Sequence, residues 1–449
     1  MDAIAAPPDH DADLIPPRPL RHHLALTIYW LSNSLLWGCL LHTGLQSRLG
    51  DWFGEGTIGL YFGILGAVGG VVGTITQMVI GAFSDRSTHP WGRRRPFLVA
   101  GVLWGAGALV LLGRSHSFWP LAGALMLLQL GTNAALGPFS ALLPDTVNPR
   151  EHGKASGLLG VARLLGDVGG LILAAAFMGA EGLPPEQKAL LHDARFPAMC
   201  NLMAGFMLLT MVISCITIRE KRLLSRPGAT VRQVLLGTFN VDVRGNPDFF
   251  WLSLSRAVTN IGFYMFLQVT ILYLQFSLGM PNPEEANMKL MIPAIVAAGI
   301  GSVVSGALSD RYGRRPLIFA SQYIMAGACV VFVFAPNITW AYVAGIPAGL
   351  AYGIFTAVEW ALACNLLPKG EAARYLGVWN ASAVVPQVLA FAIAPPLGST
   401  ISRLVPGLGW RVDFAVTVVL CIVGAYFLKH VHERRDVARG STTDAQRLT

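Results

Sequence analysis

About 20 consecutive, mostly apolar residues span the roughly 30 Å of hydrocarbon in a bilayer, and this chain contains twelve such runs. They lie near 24–46, 57–83, 97–113, 118–143, 154–178, 196–218, 248–276, 288–307, 317–335, 338–364, 374–400 and 411–430. The composition agrees: of 449 residues 53% are hydrophobic and only 13% are Asp, Glu, Lys or Arg, about half the charged share of a soluble domain. A disulfide scaffold, a disordered chain and an ordinary soluble enzyme are therefore excluded, and an all-α polytopic membrane protein is expected. The six cysteines are scattered through apolar runs without metal-ligand spacing, as small buried hydrophobes are. No secretory signal is expected at the Pro- and Asp-rich N-terminus, which reads as a solvated tail.

The net charge of +8 does not point to nucleic acid, because the basic residues fall in the short breaks between apolar runs, with no basic face bearing base-reading side chains. With the N-terminus inside, cytoplasmic segments hold 24 of the 33 basic residues, external loops hold 7 and helices 2. The positive-inside rule thus predicts that both termini are cytoplasmic. The longest break, 219–247, carries six basic residues and divides the chain six spans against six. The expected organisation is a tail at 1–23, a bundle at 24–218, a linker at 219–247, a bundle at 248–430 and a tail at 431–449.

The halves repeat one motif. Gly81-Ala-Phe-Ser-Asp-Arg86, followed by Gly92-Arg-Arg-Arg-Pro96, recurs 225 residues later as Gly306-Ala-Leu-Ser-Asp-Arg311, followed by Gly313-Arg-Arg-Pro316. Both copies follow the second span of their half, so the halves form a parallel repeat, an arrangement that places a solute site at the midplane between them. On this motif the chain resembles the major facilitator superfamily. The longer loop Asp85–Phe97 and the segment Asn133–Asp145 resemble plant sucrose transporters and their animal and bacterial relatives in the glycoside–cation symporter branch. That resemblance implies twelve transmembrane helices in two pseudo-symmetric six-helix bundles, and a sugar as solute. Some members of the wider group carry paired acids in the second span for sodium; span 57–83 has no acid in its core, so that sodium site is not expected.

The resemblance also implies a cytoplasmic gate built from Asp85, Arg86, Arg93, Arg94, Asp310, Arg311 and Arg314. A carboxylate at a helix end among arginines can accept from free N-terminal amides and pair with guanidinium; a purely topogenic arginine cluster is the alternative.

Ionisable groups within spans are candidates for function. Arg163 and Asp167 are four apart and share a helix face, about 14 and 20 Å along the fifth span. Arg256 and Glu359 come to similar depths in the seventh and tenth spans, which suggests a pair. Either pair can be a structural bridge between helices. The functional reading gives Asp167 a proton to carry and Arg163 a bidentate grip on sugar hydroxyls, with Glu359, Arg256 and, near the outer end of the first span, His42 as further members of a proton path.

For the solute itself the spans offer amides and aromatic rings: Asn33 and Trp37, Gln129 and Asn133, then Asn260, Tyr264 and Gln268, with Trp360, Asn380 and Gln387. They lie on the first, fourth, seventh, tenth and eleventh spans, which the resemblance places around the cavity, although such amides also serve simply to join helices. No catalytic or phosphate-binding motif is present, and neither a metal nor a cofactor beyond the proton is expected. The sequence thus predicts a monomeric, proton-coupled sugar importer of a bacterial inner membrane. The alternative is proton-driven export of an amphipathic compound or lipid. A receptor lacks a large soluble signalling part, and a channel does not need gate motifs on both halves.

Overall fold

The structure, a computed structural model, describes residues 19–148, 151–180, 183–218, 220, 246–366 and 372–432. All described regular elements are helices. Twelve are long: α1 Leu20–Gly50, α2 Glu55–Asp85, α3 Arg95–Gly113, α4 Phe118–Ser140, α5 His152–Met178, α6 Pro185–Thr217, α7 Pro247–Ser277, α8 Pro283–Tyr312, α9 Arg314–Phe334, α10 Ile338–Leu366, α11 Ala372–Ser402 and α12 Leu408–Leu428. Eleven are long and apolar enough to cross a membrane; the other, α4, has 23 residues and is made more polar by Gln129 and Asn133. The protein is a multi-pass membrane protein. Of the expected tails and linker, residues 1–18, 219, 221–245 and 433–449 lie outside the described set.

Helix ends follow local chemistry. Proline opens α3, α6, α7 and α8 within the first two positions, where its missing N–H has no helical partner to lose. Gly313, at φ 89°, separates α8 from α9 without an intervening loop, a backbone state that a side chain would strain. Several boundaries differ from the sequence expectation, and at two of them polar residues extend the helix beyond its apolar run. Helix α1 starts inside the expected tail, with buried His22 3.2 Å from Thr146 and His23 3.7 Å from Glu151. Helix α6 starts at Pro185 rather than at 196, its first turns held by His192, Asp193 and Lys188.

The halves pack alike. In the first, α1 lies on α5 and α3 on α4 and α6; in the second, α7 lies on α11 and α9 on α10 and α12. Helices α1 and α7 both carry a π-helical segment, Leu40–Gly44 and Tyr273–Ser277, near the end away from the repeated motif. The halves meet through α2 against α11 and α5 against α8. A Cβ on Gly59 would lie 1.8 Å from Pro395 O, and one on Gly63 2.7 Å from Phe391 O, so only glycine admits this approach. Near the motif the contact has ended, and a Cβ on Gly81 would meet nothing within 4 Å.

Latching bonds cluster at the end away from the motif, here called the latched end. Glu55 of α2 accepts from Gly407 N (2.7 Å) and Trp410 Nε1 (3.1 Å). Arg403 donates to Gly56 O (2.6 Å) and Ser399 to Glu55 O (2.7 Å). On the other flank Lys188 of α6 pairs with buried Glu284 of α8 at 3.1 Å, and Asn287 donates to His42 O at 3.0 Å.

These contacts separate two kinds of glycine. Gly353 packs within the second half, 1.9 Å from Ala298 O at its Cβ position. Gly353→Ala should cost about 1–3 kcal/mol and lower Tm in detergent by several degrees. Gly59→Ala, between the halves, should leave Tm near wild type and instead increase thiol labelling of a cysteine placed at Gly56.

Candidate functional site

Where the inter-half contact ends, a cavity of about 480 Å³ opens between the bundles. Its walls differ in character. On the first half α1 contributes Asn33, Ser34, Trp37 and His42; α2 Thr74 and Gln77; α4 Gln129 and Asn133; α5 Arg163 and Asp167. The second half contributes mostly apolar groups, among them Phe263, Leu267, Met291, Ile295 and Met325, with Tyr264, Gln268, Tyr352 and Gln387 as its polar points.

Backbone proximity shapes the polar wall. Asn133 Nδ2 donates to Gln129 Oε1 and Gln129 O, each at 2.9 Å, and so fixes the two amides one turn apart. Gly73 of α2 leaves room for them, since a Cβ there would lie 2.7 Å from Asn133 Nδ2. Gly38 of α1 likewise lies against the Asp167 backbone, 3.1 Å from its Cα at the Cβ position. Ser34 and Arg163 are the polar groups beside the Asp167 carboxyl.

Arg163 and Asp167 share the cavity face that their spacing predicts. Among the described residues, however, no ion pair joins them. The Arg163 guanidinium lies 5.2 Å from the ring centroid of Trp30 on α1 and is largely open to the cavity. Both groups are therefore available to a solute. Arg256 and Glu359 do pair, at 3.0 Å, with Arg256 also 3.8 Å over the Trp379 ring; neither lines the cavity. Tyr352 lines the cavity and is within electrostatic reach of all four charges.

Of the sequence-selected residues, ten line the cavity: Asn33, Trp37, His42, Gln129, Asn133, Arg163, Asp167, Tyr264, Gln268 and Gln387. Besides Arg256 and Glu359, three others do not. Asn260 is buried and donates to Ser382 O at 3.5 Å, which joins α7 to α11. Trp360 is 47% exposed beside Trp379, and Asn380 is exposed. Sequence reasoning missed Ser34, Thr74, Gln77 and Tyr352, which single hydroxyls and amides in apolar helices do not advertise. It also missed Asp413, although an acid five residues into the last helix was a visible signal.

The motif loop of the first half is a compact charge cluster. Arg94, 4% exposed, pairs with Asp85, donates from Nε to Asp145 (3.1 Å) and from Nη1 to Ser84 (2.7 Å), while Arg93 pairs with Asp145. The N-terminal amides of α3 do not go to Asp85 as the sequence suggests. Glu220 takes them, from Arg94 N at 2.8 Å and Arg95 N at 3.1 Å, and burial pushes its carboxyl above the ordinary range. In the second half Arg314 donates to Ala361 O at 2.7 Å and Arg311 lies over Tyr312; Arg86 also has a partner. The side chain of Asp310 lies outside the described set.

Residues 23–387 and 282–447 match the family model of the Major Facilitator Superfamily. The chain is 27% identical to sucrose transport protein SUC3 of Arabidopsis thaliana over 33% of this chain and 28% of that protein. It is 27% identical to niacin transporter NiaP of Acinetobacter baylyi over 28% of this chain and 30% of that protein. It is 24% identical to lactose permease of Lactobacillus helveticus over 66% and 47% respectively. The matched stretch thus spans less than a third of the first two relatives. Among solved structures, a bacterial homologue of the human lysosomal transporter Spinster, inward-facing and unoccupied, superposes with a TM-score of 0.71 at 16% identity, covering 92% of this chain and 97% of that one. The nucleoside transporter NupG superposes at 0.72 with 12% identity, covering 92% and 100%.

The buried pair yields a prediction of its own. Glu359→Ala leaves Arg256 buried without its counter-ion and should cost about 3 kcal/mol of stability. The double variant Arg256→Ala, Glu359→Ala should recover most of the lost Tm.

Proposed function

The chain belongs to the major facilitator superfamily, and from that premise we propose that it is a proton-coupled symporter importing a sugar, a di- or oligosaccharide such as sucrose or maltose, by alternating access. The observation that carries this reading is the polar wall of the cavity. A neutral solute rich in hydroxyls needs many directional partners, and Asn33, Gln129, Asn133, Arg163 and Asp167 supply them on one side. The relatives include sucrose and lactose carriers by name, which favours the same class.

In the proposed cycle the motif loops are cytoplasmic, by the distribution of Lys and Arg, in the inner membrane of a bacterium, with the protein acting as a monomer. The structure then represents the inward-open state, latched on the outside. Asp167 binds a proton with the solute, and the two cross together, each proton driven by 100 mV contributing roughly 2.3 kcal/mol. Arg163, held over Trp30 rather than ion-paired, grips a hydroxyl pair with its planar fork. His42 lines the same cavity and extends the proton path outward, while Arg256 and Glu359 act on it electrostatically through Tyr352.

A second reading has its own support. The apolar wall of Phe263, Leu267, Met291, Ile295 and Met325 suits an amphipathic compound or lipid, exported against protons. Counterflow separates the two: unlabelled sugar on the far side accelerates labelled sugar flux only in the sugar carrier.

In lightly buffered, de-energised cells, adding the transported sugar should raise external pH; a silent electrode with every sugar tested would refute symport. Asp167→Asn should abolish accumulation while leaving exchange partly intact. Arg163→Lys should weaken apparent affinity about tenfold, the equivalent of about 1.4 kcal/mol for the lost bidentate contact.

A further inference from the structure

Helix α12 carries a carboxylate that the proposed transport cycle does not use. Asp413 is fully buried, and neither of its oxygens has a hydrogen-bond partner. It lies five residues inside the helix from Leu408, about 8 Å along the axis from the latched end. On α11 a Cβ at Gly398 would come within 2.6 Å of Asp413 Oδ2 and 2.5 Å of the Trp410 ring, so the carboxyl and the indole press on the same glycine.

The charged and titratable groups around it are directed elsewhere. Arg411, on the same helix, donates to Val333 O (2.7 Å) and Ala335 O (3.0 Å) at the end of α9. Arg403 on α11 donates to Gly56 O, and Tyr273 on α7 donates to Phe332 O at 2.9 Å. Glu55 on α2 is taken by Gly407 N and Trp410 Nε1. The Thr417 hydroxyl reaches the backbone oxygen of Asp413 at 3.0 Å, not its carboxyl. An ionised carboxylate without donor or counter-ion is among the costliest groups to bury at membrane depth, and a bound proton removes that charge.

The cover over Asp413 is part of the latch. Trp410, fully buried, is held by Glu55 from the other half. When the halves part at this end, Glu55 leaves with α2 and the indole loses its anchor. We propose that Asp413 is a proton-binding site, filled from the latched side of the membrane, and that the latch closes only over the protonated carboxyl. A proton from water on that side bonds to one carboxylate oxygen before closure and returns to the same water on opening; no other bond changes. Asp413 is thus separate from Asp167, whose carboxyl faces the cavity.

The sign follows from proton linkage. The latched state holds one more proton than the open state, so raising pH favours opening. Above the ordinary carboxylate range the latched-to-open ratio should fall by up to about tenfold per pH unit.

The proposal rests on alternating access, but its test needs no solute. Spin labels would be placed at Leu190 and Leu404, 71% and 83% exposed near the latched end of the two halves, in cysteine-free protein in lipid nanodiscs. The distance distribution is read from acid to alkaline pH. The wild type should shift toward the longer distance as pH rises. Asp413→Asn, permanently neutral, should stay latched throughout, and Glu55→Gln should open more at every pH while still responding to it. If Asp413→Asn does not fold, Asp413→Ser serves as the neutral variant. A pH-independent distance in the wild type, or a neutral variant that titrates like the wild type, overturns the proposal and leaves alternating access standing. A single distance in every variant and at every pH overturns both.

Discussion

The approach of α2 to α11 sets the position of everything else. Backbone oxygens of Pro395 and Phe391 occupy the space that side chains at Gly59 and Gly63 would fill, so the halves touch through main chain at one end and diverge toward the other. The cavity begins where that contact stops. The latch acids use the same geometry twice: Glu55 opens α2 and Glu284 lies in the first turn of α8. Each reaches across to the opposite half, Glu55 to the turn before α12 and Glu284 to the start of α6. Lipid supplies no hydrogen bonds, so a helix end turned toward the partner half must be satisfied by that half. The latch meets this requirement while leaving the contact reversible.

Charges at membrane depth are handled in three ways. Arg256 and Glu359 pair beside Trp379 and do not line the cavity. Arg163 and Asp167 stay unpaired because the cavity supplies polar surroundings. Asp413 has neither partner nor cavity. A paired charge is already at its lowest free energy and has little to gain from a solute. An unpaired one changes free energy when the cavity fills, empties or closes, and that differential is what drives a conformational equilibrium.

Much of this was legible in the sequence. The apolar runs gave the helices, and the 225-residue offset of the Ser-Asp-Arg motif gave the two-fold plan. The residues on α1, α4 and α5 reached the cavity because polar groups in those helices have few other destinations. Two of the failures share one cause: a helix apolar on nearly all faces does not reveal its rotation. Asn260 sits one turn from Tyr264, yet it turns to Ser382 on α11 while Tyr264 faces the cavity. Arg163 sits one turn from Asp167, yet it finds Trp30 on another helix. Glu220 takes the α3 amides from more than a hundred residues away, a partnership that no local spacing encodes.

The two cavity walls suggest why similar halves came to differ where they did. Each half carries the Gly-x-x-Ser-Asp-Arg loop, and in the proposed cycle rocking one bundle against the other would need an arginine-rich clasp on both. Binding has no such requirement. A solute held with equal strength by both walls would tie the halves together and deepen the occluded state, slowing its release on either side. With the directional bonds gathered on the first half, and an apolar wall touched by Tyr264, Gln268, Tyr352 and Gln387 on the second, the solute can stay with one bundle while the other moves past it. Dispersion contacts to the apolar wall lack fixed direction and tolerate a change of angle that hydrogen bonds do not. In the proposed cycle the polar asymmetry of the cavity is therefore a mechanical property as much as a recognition device: it would let the binding site remain intact while access to it changes sides.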